Sequence, residues 1–529
     1  MRELDAIGLE ILSNALKSIN DECFVALMKA SYSTNIKERH DHSTAIMSAN
    51  GELIAQADMS LPIHVASMSG LMRCLLEKYK SDIHEGDIFV ANDPHTAGGT
   101  HLPDVNFAAP VFIDGELVGY VCNIAHHADI GGMAAGSMSG GMTEIYQEGL
   151  RIPVTRIARH DEINQEILDI FLLNARAPQE RRGDYYAQIA AAKLGVRRLN
   201  ELGRRYGAKL LREGFQQLLA RSANRMALAL KEVPDGVYQF EDFMDDDGVE
   251  TTDVVLKVRI EAKAGKLTFD FTGTAPQTAG NINMTLNATQ SAVIFAIKSL
   301  LDPEAPNTQA VIDCVDVIVP EGTVASAVFP ASVAGRAHTC QRVIDVVMGA
   351  LAPALPNLVP AAPNGANTMA VFSGIDPRSG QPYVYLETIG GGAGGRPTKP
   401  GKDGVQTGIT NTSNLPVEAI ENEYPLMVLE YGLAPNSGGK GKHPGGRGIR
   451  RIVKPIGHRC VFNGVGERFR NPPWGLAGGE NGGRGRFAML DQQSNEAPLP
   501  GKTGDRIIAD GGAVLMDSPG AGGWGHPKN

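Results

Sequence analysis

The stretch from Asp87 to Gly132 constrains the fold more than any other part of the chain, because two apolar runs in it end in polar, ligand-type side chains. The run 88–91 leads into Asn92-Asp93-Pro94-His95, and the run 118–125 leads into His126-His127. Short apolar runs of this kind are typical of buried strands. A strand that is held by apolar neighbours and ends in His and Asp is a rigid platform from which ligand atoms can converge.

Histidines and aspartates are concentrated in this stretch, at His95, His101, His126, His127, Asp87, Asp93, Asp104, Asp114 and Asp129. Two imidazoles and one carboxylate suit a divalent transition metal with open coordination positions. We take His101, Asp104 and one histidine of the 126–127 pair as the candidates, because all lie at strand edges. Asp114 forms a turn dipeptide with Gly115 and is expected to be a hairpin residue without chemistry. His95 could simply satisfy a loop backbone group.

The composition is that of a globular protein and excludes several classes. The chain has 529 residues, 43% of them hydrophobic, and a net charge of −10. This charge does not indicate the basic surface that proteins use to bind nucleic acid. Six scattered cysteines without a C-x-x-C pair argue against a zinc ribbon or a disulfide framework. We find no signal peptide and no apolar run of about eighteen residues. We therefore expect a cytoplasmic protein that binds neither membranes nor nucleic acids.

The pattern of apolar residues predicts an α+β fold of mixed, multi-domain type. Helical spacing recurs over residues 3–30 and 160–231, which gives helical N-terminal blocks. Pro234 follows the last of these, and beyond it short β segments alternate with Gly-rich loops. We predict an N-terminal α+β domain, residues 1–233, that carries the metal site, and a β-rich, Gly-rich C-terminal region, residues 234–529.

Motifs for nucleotides and for a serine nucleophile are absent or misplaced. The chain contains no G-x-x-x-x-G-K-[ST] and no G-x-S-x-G. Residues 390–395 spell G-x-G-x-x-G, but Arg396-Pro397 follows where the dinucleotide motif needs a helix to open. We therefore predict no dinucleotide-binding fold.

Longer motifs follow one another in order along nearly the whole chain: Asn92–Gly99, Thr100–Asp104, Ala125–Gly132, Glu144–Pro153, Asp270–Thr274, Gly280–Asn283, Asn414–Glu418 and Pro472–Leu476. Together they resemble the hydantoinase B/5-oxoprolinase family, which is related to the alpha subunits of acetone and acetophenone carboxylases. The resemblance implies a B-type subunit that pairs with an ATP-binding A-type subunit in a heterotetramer-like assembly. ATP and Mg would lie in that partner, which agrees with the missing nucleotide motif here.

The activity implied by the resemblance is the ATP-dependent opening of a small cyclic amide of the hydantoin, 5-oxoproline or lactam type. Metal-activated water would attack a substrate that the partner subunit has phosphorylated. Two alternatives stay open. The chain could be the alpha subunit of an ATP-dependent ketone carboxylase, or a non-catalytic assembly subunit.

The resemblance also implies a set of metal ligands. The related carboxylase subunits bind their metal through a His-x-x-Asp pair and a later histidine, and His101 and Asp104 fit that pair. His126 is the remaining ligand by spacing, with His127 as its competitor. The metal would be Zn, Mn or Fe.

Three further residues receive expected roles. Asp41, in a polar cluster before a strand, looks like a family carboxylate and is expected to act as a general base or an additional ligand, unless it is only a turn residue. His127 and Asp129 are expected to lie behind the ligands and orient them, or to replace one of them.

Overall fold

Four β-sheets and the helices packed on them make up this computed structural model, which describes residues 4–527. The α-helices are α1 (Ala6–Ala30), α2 (Thr34–Lys37), α3 (Val65–Tyr79), α4 (Gln165–Leu173), α5 (Pro178–Tyr206), α6 (Ala208–Ala229), α7 (Leu286–Leu301), α8 (Gln309–Ile312), α9 (Arg336–Leu351) and α10 (Val417–Glu423). Short 3₁₀ helices span Pro62–His64, Ala135–Ser137, Ile145–Gln147 and Leu230–Glu232.

The strands are β1 (His42–Ser48), β2 (Leu53–Gln56), β3 (Ile88–Ala91), β4 (Asp104–Ile113), β5 (Glu116–His126), β6 (Thr155–Arg159), β7 (Glu162–Ile163), β8 (Gly236–Asp246), β9 (Thr252–Lys263), β10 (Lys266–Asp270), β11 (Asp316–Ile318), β12 (Thr368–Ile375), β13 (Pro382–Ile389), β14 (Leu426–Leu433), β15 (Ile449–Pro455), β16 (Cys460–Val465), β17 (Arg486–Leu490), β18 (Glu496–Leu499), β19 (Lys502–Ile508) and β20 (Ala513–Asp517). The mixture of helices and sheets confirms the α+β class.

The first sheet is antiparallel and has the order β2-β1-β5-β4-β3-β6-β7. Most residues of β1 to β5 are buried because helices cover both faces of the sheet. Ile46 packs with α1, α5 and α6 on one face, whereas Met47 packs with α3 on the other, as the alternation of side chains along a strand requires. Asp114 and Gly115 make the turn between β4 and β5, each with positive φ, so the predicted hairpin is confirmed.

The three neighbouring strands β1, β5 and β4 end or begin on one side of this sheet, where the chain segments that the sequence singled out lie together. We call this side, formed by the strand ends, the sheet edge. His42 pairs with Ala125 between β1 and β5, and Asp104 pairs with His126 between β4 and β5. The residue before β1, the first residue of β4 and the last residue of β5 therefore end side by side. This register places Asp41 at the same edge as Asp104 and His126.

The other three sheets use only strands that follow residue 234. Their orders are β11-β10-β9-β8, β13-β12-β16-β19 and β14-β15-β20-β17-β18. Helices α7 and α9 cover the first of them, and the other two share a core that includes Phe372, Phe462 and Phe487. The change from helices to strands coincides with the expected boundary between 1–233 and 234–529. The division into two domains stays a prediction.

The glycine-rich loops of the C-terminal half run against one another at close range. A Cβ atom on Gly392 would lie 2.0 Å from the carbonyl oxygen of Gly446, so a larger residue does not fit there. Bends, rather than a helix, follow Gly395, unlike in a dinucleotide-binding turn. Among residues 4–527, no helix combines the length and apolar character needed to cross a lipid bilayer.

Candidate metal centre

His101, Asp104 and His126 meet at the sheet edge, and we call these three residues the candidate metal centre. The Nε2 atom of His101 lies 2.9 Å from Oδ1 of Asp104, and the Nδ1 atom of His126 lies 3.2 Å from the same oxygen. One donor atom from each of the three residues lies within 4.8 Å of the others. All three side chains are buried. The geometry thus brings together the three residues that were predicted as ligands, and it favours His126 over His127.

The backbone fixes the candidate metal centre from both sides. The amide of Asp104 donates to the carbonyl oxygen of His101 in the turn that precedes β4, at 3.3 Å. The amide of His126 donates to the carbonyl oxygen of Asp41 at 3.0 Å. The side chain of Asn35 donates to the carbonyl oxygen of His126 at 2.8 Å. Each residue is therefore positioned by main-chain contacts of the sheet edge and not by its own side chain alone.

The protonation state of His101 follows from its surroundings. Burial, reinforced by the charge of Arg336, lowers the pKa of His101 to about 4, so the ring is neutral near pH 7. Its Nδ1 atom lies 3.2 Å from the carbonyl oxygen of Ala334. A carbonyl oxygen can only accept, so in the tautomer with the proton on Nδ1 the ring donates to Ala334 and leaves Nε2 free to bind a cation.

Asp104 is held as a carboxylate. Burial opposes its ionisation, but the imidazole of His101 and the guanidinium of Arg336 outweigh burial and hold the pKa of this carboxyl well below its usual range. Arg336 donates a short hydrogen bond to Oδ2, and the hydroxyl of Thr100 donates to the same oxygen at 3.2 Å. The Nε2 atom of His64 lies 3.7 Å from Oδ2.

The donor set fits a divalent transition metal on two observations. The Nε2 atoms of both His101 and His126 are buried without a hydrogen-bond partner. His101 Nε2 also lies 2.9 Å from a carboxylate oxygen of Asp104, so one cation could contact both atoms. Two imidazoles and one carboxylate are the ligands that zinc, manganese and iron sites use. His101, Asp104 and His126 could therefore hold such an ion.

Asp41 lines a cavity beside the candidate metal centre. The cavity has a volume of about 30 Å³ and is also lined by His64, Arg336 and Thr388. This volume admits a water molecule. Asp41 is 8% exposed and precedes β1 directly, so its position agrees with the prediction of a polar residue at the entry of a strand.

His127 and Asp129 make their contacts away from the three clustered residues. The Nε2 atom of His127 lies 2.9 Å from Oε1 of Gln188 on α5, and its ring packs on Tyr185 with centroids 4.5 Å apart. Asp129 accepts hydrogen bonds from the amide of Gly131 and from the guanidinium of Arg176. Both side chains thus fix the segments that follow β5, and an orienting role for them stays a prediction.

His64 and Arg336 were not among the predicted residues, although both approach Asp104. His64 ends the 3₁₀ helix before α3 and contacts the hydroxyl of Ser43 at 2.7 Å. Arg336 begins α9 and is 232 residues from Asp104 in the sequence. Neither belongs to a His-Asp cluster in the sequence. The only sequence signal was indirect, since a buried aspartate requires a nearby cation or donor.

Comparison with known proteins places this chain in a family. The sequence profile of the family described as Hydantoinase B/oxoprolinase matches residues 5–527. The chain belongs to the hydantoinase B/oxoprolinase family. This membership confirms the resemblance that the motifs along the sequence indicated.

Relatives within the hydantoinase B/oxoprolinase family differ in length. An uncharacterized protein of Methanocaldococcus jannaschii is 37% identical, over 99% of this chain and 91% of its own length. A protein of Pseudomonas sp., named as the B-type subunit of a D-/L-hydantoinase, is 32% identical over 100% of this chain and 91% of its own length. The 5-oxoprolinase 1 of Arabidopsis thaliana is 33% identical over 98% of this chain but over only 42% of its own length.

Two solved structures share the fold of this family member. The ATP-dependent caprolactamase from Pseudomonas jessenii has a TM-score of 0.93 and 28% sequence identity, covering 99% of this chain and 92% of its own. A nucleotide-free acetone carboxylase structure has a TM-score of 0.90 and 17% identity, covering 98% of this chain and 76% of its own. At that identity the second likeness shows the fold alone.

Proposed function

We propose that this chain is the B-type subunit of an ATP-dependent hydrolase that opens cyclic amides of the hydantoin, 5-oxoproline or lactam type. The names of relatives support the reaction class, since they include the B-type subunit of a hydantoinase, a 5-oxoprolinase and an ATP-dependent caprolactamase. The observation that carries the proposal is the convergence of His101, Asp104 and His126, with unpartnered imidazole nitrogens, beside the cavity that Asp41 lines.

The substrate needs activation before water can attack it. Resonance makes an amide carbonyl a poor electrophile, as it does in a peptide bond. In the proposal, an A-type partner that binds ATP and Mg phosphorylates the amide oxygen and forms a heterotetramer with this chain. The length of 5-oxoprolinase 1 supports a requirement for a second part, because this chain spans only 42% of that protein.

The residues of this chain then act on the attacking water. A divalent transition metal (Zn, Mn or Fe) held by His101, Asp104 and His126 would supply Lewis-acid chemistry and water of lowered pKa. Asp41 accepts the proton of the water that attacks the ring carbonyl carbon. Arg336 keeps Asp104 ionised, and the surrounding buried side chains exclude bulk water from the cavity.

Reconstitution tests this function. We expect the purified chain to hold about one divalent metal ion and to hydrolyse hydantoin, 5-oxoproline and caprolactam only slowly. Adding an A-type partner and ATP should restore turnover of at least one of these rings. Full activity without partner or ATP would contradict the proposal. Bicarbonate-dependent consumption of a ketone by the complex would instead support the carboxylase alternative, and unchanged activity after His101→Ala with Asp104→Ala would support an assembly role.

Replacing Asp41 tests its assignment as the base. Asp41→Asn keeps the size of the side chain but removes the proton acceptor, so kcat of the complex should fall about 100-fold with metal content unchanged. Asp114→Asn, in the exposed turn between β4 and β5, is the matched control and should leave both values unchanged. Loss of the metal in Asp41→Asn would make Asp41 a ligand, and unchanged kcat would make it a turn residue only.

A further inference from the structure

Five arginines in the part of the chain that the structure describes are fully buried: Arg39, Arg181, Arg342, Arg451 and Arg468. Four of them form ion pairs with buried or partly buried carboxylates, and their partners include Asp184, Asp242, Glu387 and Asp345. Arg39 forms none with any residue between 4 and 527. Because a buried charge is costly unless it is paired, Arg39 differs from the other four in a way that needs a physical reason.

The hydrogen-bond partners of Arg39 are all neutral. Its guanidinium donates short hydrogen bonds to Oδ1 of Asn35 and Oγ1 of Thr388, and it donates to Oγ1 of Thr412 at 3.1 Å. Its Nε atom is buried without a partner. The positive charge is therefore solvated by oxygens but is not neutralised by any anion of the described chain.

The two threonines connect Arg39 to the candidate metal centre. Thr388 and Thr412 both line the cavity that Asp41 lines. Their hydroxyl oxygens accept from Arg39, so the hydroxyl protons remain available for donation, apart from a contact of 3.5 Å between the two oxygens. The two hydroxyls, polarised by the guanidinium of Arg39, can thus donate hydrogen bonds into the cavity.

Other charges around the cavity also favour an anion. Arg336 and Ala337 line it, so the N-terminus of the 16-residue helix α9 lies there with its positive dipole end. Arg336 forms an ion pair with Asp104, whereas Arg39 forms an ion pair with neither Asp41 nor Asp104. A divalent ion at the candidate metal centre would leave excess positive charge, which an anionic ligand neutralises.

We propose that Arg39, through the hydroxyls of Thr388 and Thr412, forms an oxyanion-binding subsite of this cavity. The subsite rests on the proposed function, because its ligand is either the phosphoryl group of the activated ring or a carboxylate carried by the ring. Guanidinium and hydroxyl donors bind both kinds of oxyanion. The cavity of about 30 Å³ holds only water in this conformation, so an oxyanion requires movement of a wall side chain, and the unbranched Met138 is the most adaptable.

Binding of simple anions tests the subsite on the full, metal-loaded chain. Inorganic phosphate and acetate are titrated by calorimetry into the wild type, Arg39→Gln, Thr412→Val and Thr410→Val. Thr410 lines the same cavity but its hydroxyl donates to Gln406, so Thr410→Val is the matched control. We expect Arg39→Gln and Thr412→Val to weaken anion binding at least about 10-fold, and Thr410→Val less than about 2-fold, with metal content unchanged.

Steady-state kinetics of the reconstituted complex separate the two sources of the oxyanion. If the subsite binds the phosphoryl group, Arg39→Gln lowers kcat/KM for neutral caprolactam and for 5-oxoproline alike, and phosphate affinity falls. If it binds a substrate carboxylate, KM rises only for 5-oxoproline, and acetate affinity falls.

Unchanged anion affinity and unchanged KM for both rings, in folded Arg39→Gln and Thr412→Val, would overturn the subsite and make Arg39 a structural donor to Asn35. Should Arg39→Gln fail to fold, the comparison of Thr412→Val with Thr410→Val decides. A wild-type complex that opens no ring but binds phosphate through Arg39 would refute the proposed function and leave the subsite standing.

Discussion

Two buried groups of charged residues in this protein have opposite chemistry. The first is the candidate metal centre. The second, the ionic cluster, joins β8, α9, the segment that follows β16, and the start of β19, and it consists of Asp242, Arg342, Asp345, Glu467, Arg468 and Lys502. In the ionic cluster each cation faces a carboxylate, with Lys502 Nζ 2.5 Å from Glu467 and Arg468 2.9 Å from Asp242. In the candidate metal centre, the Nε2 atoms of His101 and His126 are buried without a hydrogen-bond partner.

The pKa values of the acid groups in the two regions are also shifted in opposite directions. Burial raises the pKa of Glu467 to about 7, although Lys502 favours the ionised form. Burial likewise raises the pKa of Asp345 well above its usual range. Asp104 is equally buried, but His101 and Arg336 hold its pKa well below the usual range. The buried charges of the ionic cluster therefore have a structural role, whereas the ionised Asp104, beside two imidazoles whose Nε2 atoms have no partner, is suited to hold a cation.

The largest effect is expected from Asp104→Asn. The change removes the carboxylate that both imidazoles approach, so metal content should fall from about one ion per chain to nearly none, and turnover of the complex should fall at least about 1000-fold. Mass spectrometry of the metals and steady-state kinetics measure both. Asp114→Asn is the control. Full retention of metal in Asp104→Asn would remove the contrast between the two regions.

Lys502→Met tests the ionic cluster in the same way. It leaves Glu467 buried without its nearest cation, so the free energy of unfolding should fall by about 3 kcal/mol. Metal content per folded chain should not change. Urea unfolding measures the stability, with the exposed Lys440→Met as the control. A metal loss comparable to that of Asp104→Asn would show that the two regions are one functional unit.

Glu148 shows whether a carboxyl near the candidate metal centre can behave like those of the ionic cluster. It accepts from the hydroxyl of Ser332 and the amides of Val333 and Ala334, yet burial raises its pKa from 4.5 to about 7. The folded chain thus keeps a proton that the unfolded chain loses, so this stabilisation is present below pH 4.5 and is lost as the pH rises to about 7.

Glu148→Gln cannot ionise, and the variant should therefore gain stability relative to the wild type across this range, by up to about 1.4 kcal/mol per pH unit. Urea unfolding at several pH values between 4.5 and 8 gives the difference. Parallel stability curves for the two proteins would contradict the raised pKa.

The smallest effect is expected from His127→Gln, which sharpens the choice between the two adjacent histidines. The variant loses the contact with Tyr185 and the bond to Gln188, so stability should fall by about 1 kcal/mol. Metal content should stay within about 2-fold of the wild type, whereas His126→Gln should lose the metal. A metal-free His127→Gln would reverse the assignment.

Local patterns predicted much of what the structure contains. Apolar periodicity predicted the N-terminal helix and the helices that precede Pro234, and the Asp114-Gly115 dipeptide predicted the hairpin, because these depend on neighbours in the sequence. Ligand-type residues at strand edges, together with the His-x-x-Asp pair that the resemblance implied, identified His101 and Asp104. The sequence left open whether His126 or His127 is the third ligand, because only the pairing of Asp104 with His126 in the sheet distinguishes the two histidines.

Contacts between distant segments were beyond such patterns. Arg336 reaches Asp104 from α9, and Arg39 reaches Thr388 across 349 residues of sequence. Neither arginine stands in a motif that carries its role. Their positions follow from how α9 and β13 pack against the edge of the first sheet, which depends on the order of strands in four separate sheets. Periodicity in one segment contains no information on that order.

Anomalous diffraction from crystals grown with zinc or manganese is the best test for an ion at the candidate metal centre. Data collected on both sides of the metal absorption edge locate the ion independently of any assumption about its ligands. We expect one strong peak between His101 Nε2, the Asp104 carboxylate and the His126 ring. No peak there at saturating metal, or a peak bound by other side chains, would contradict it.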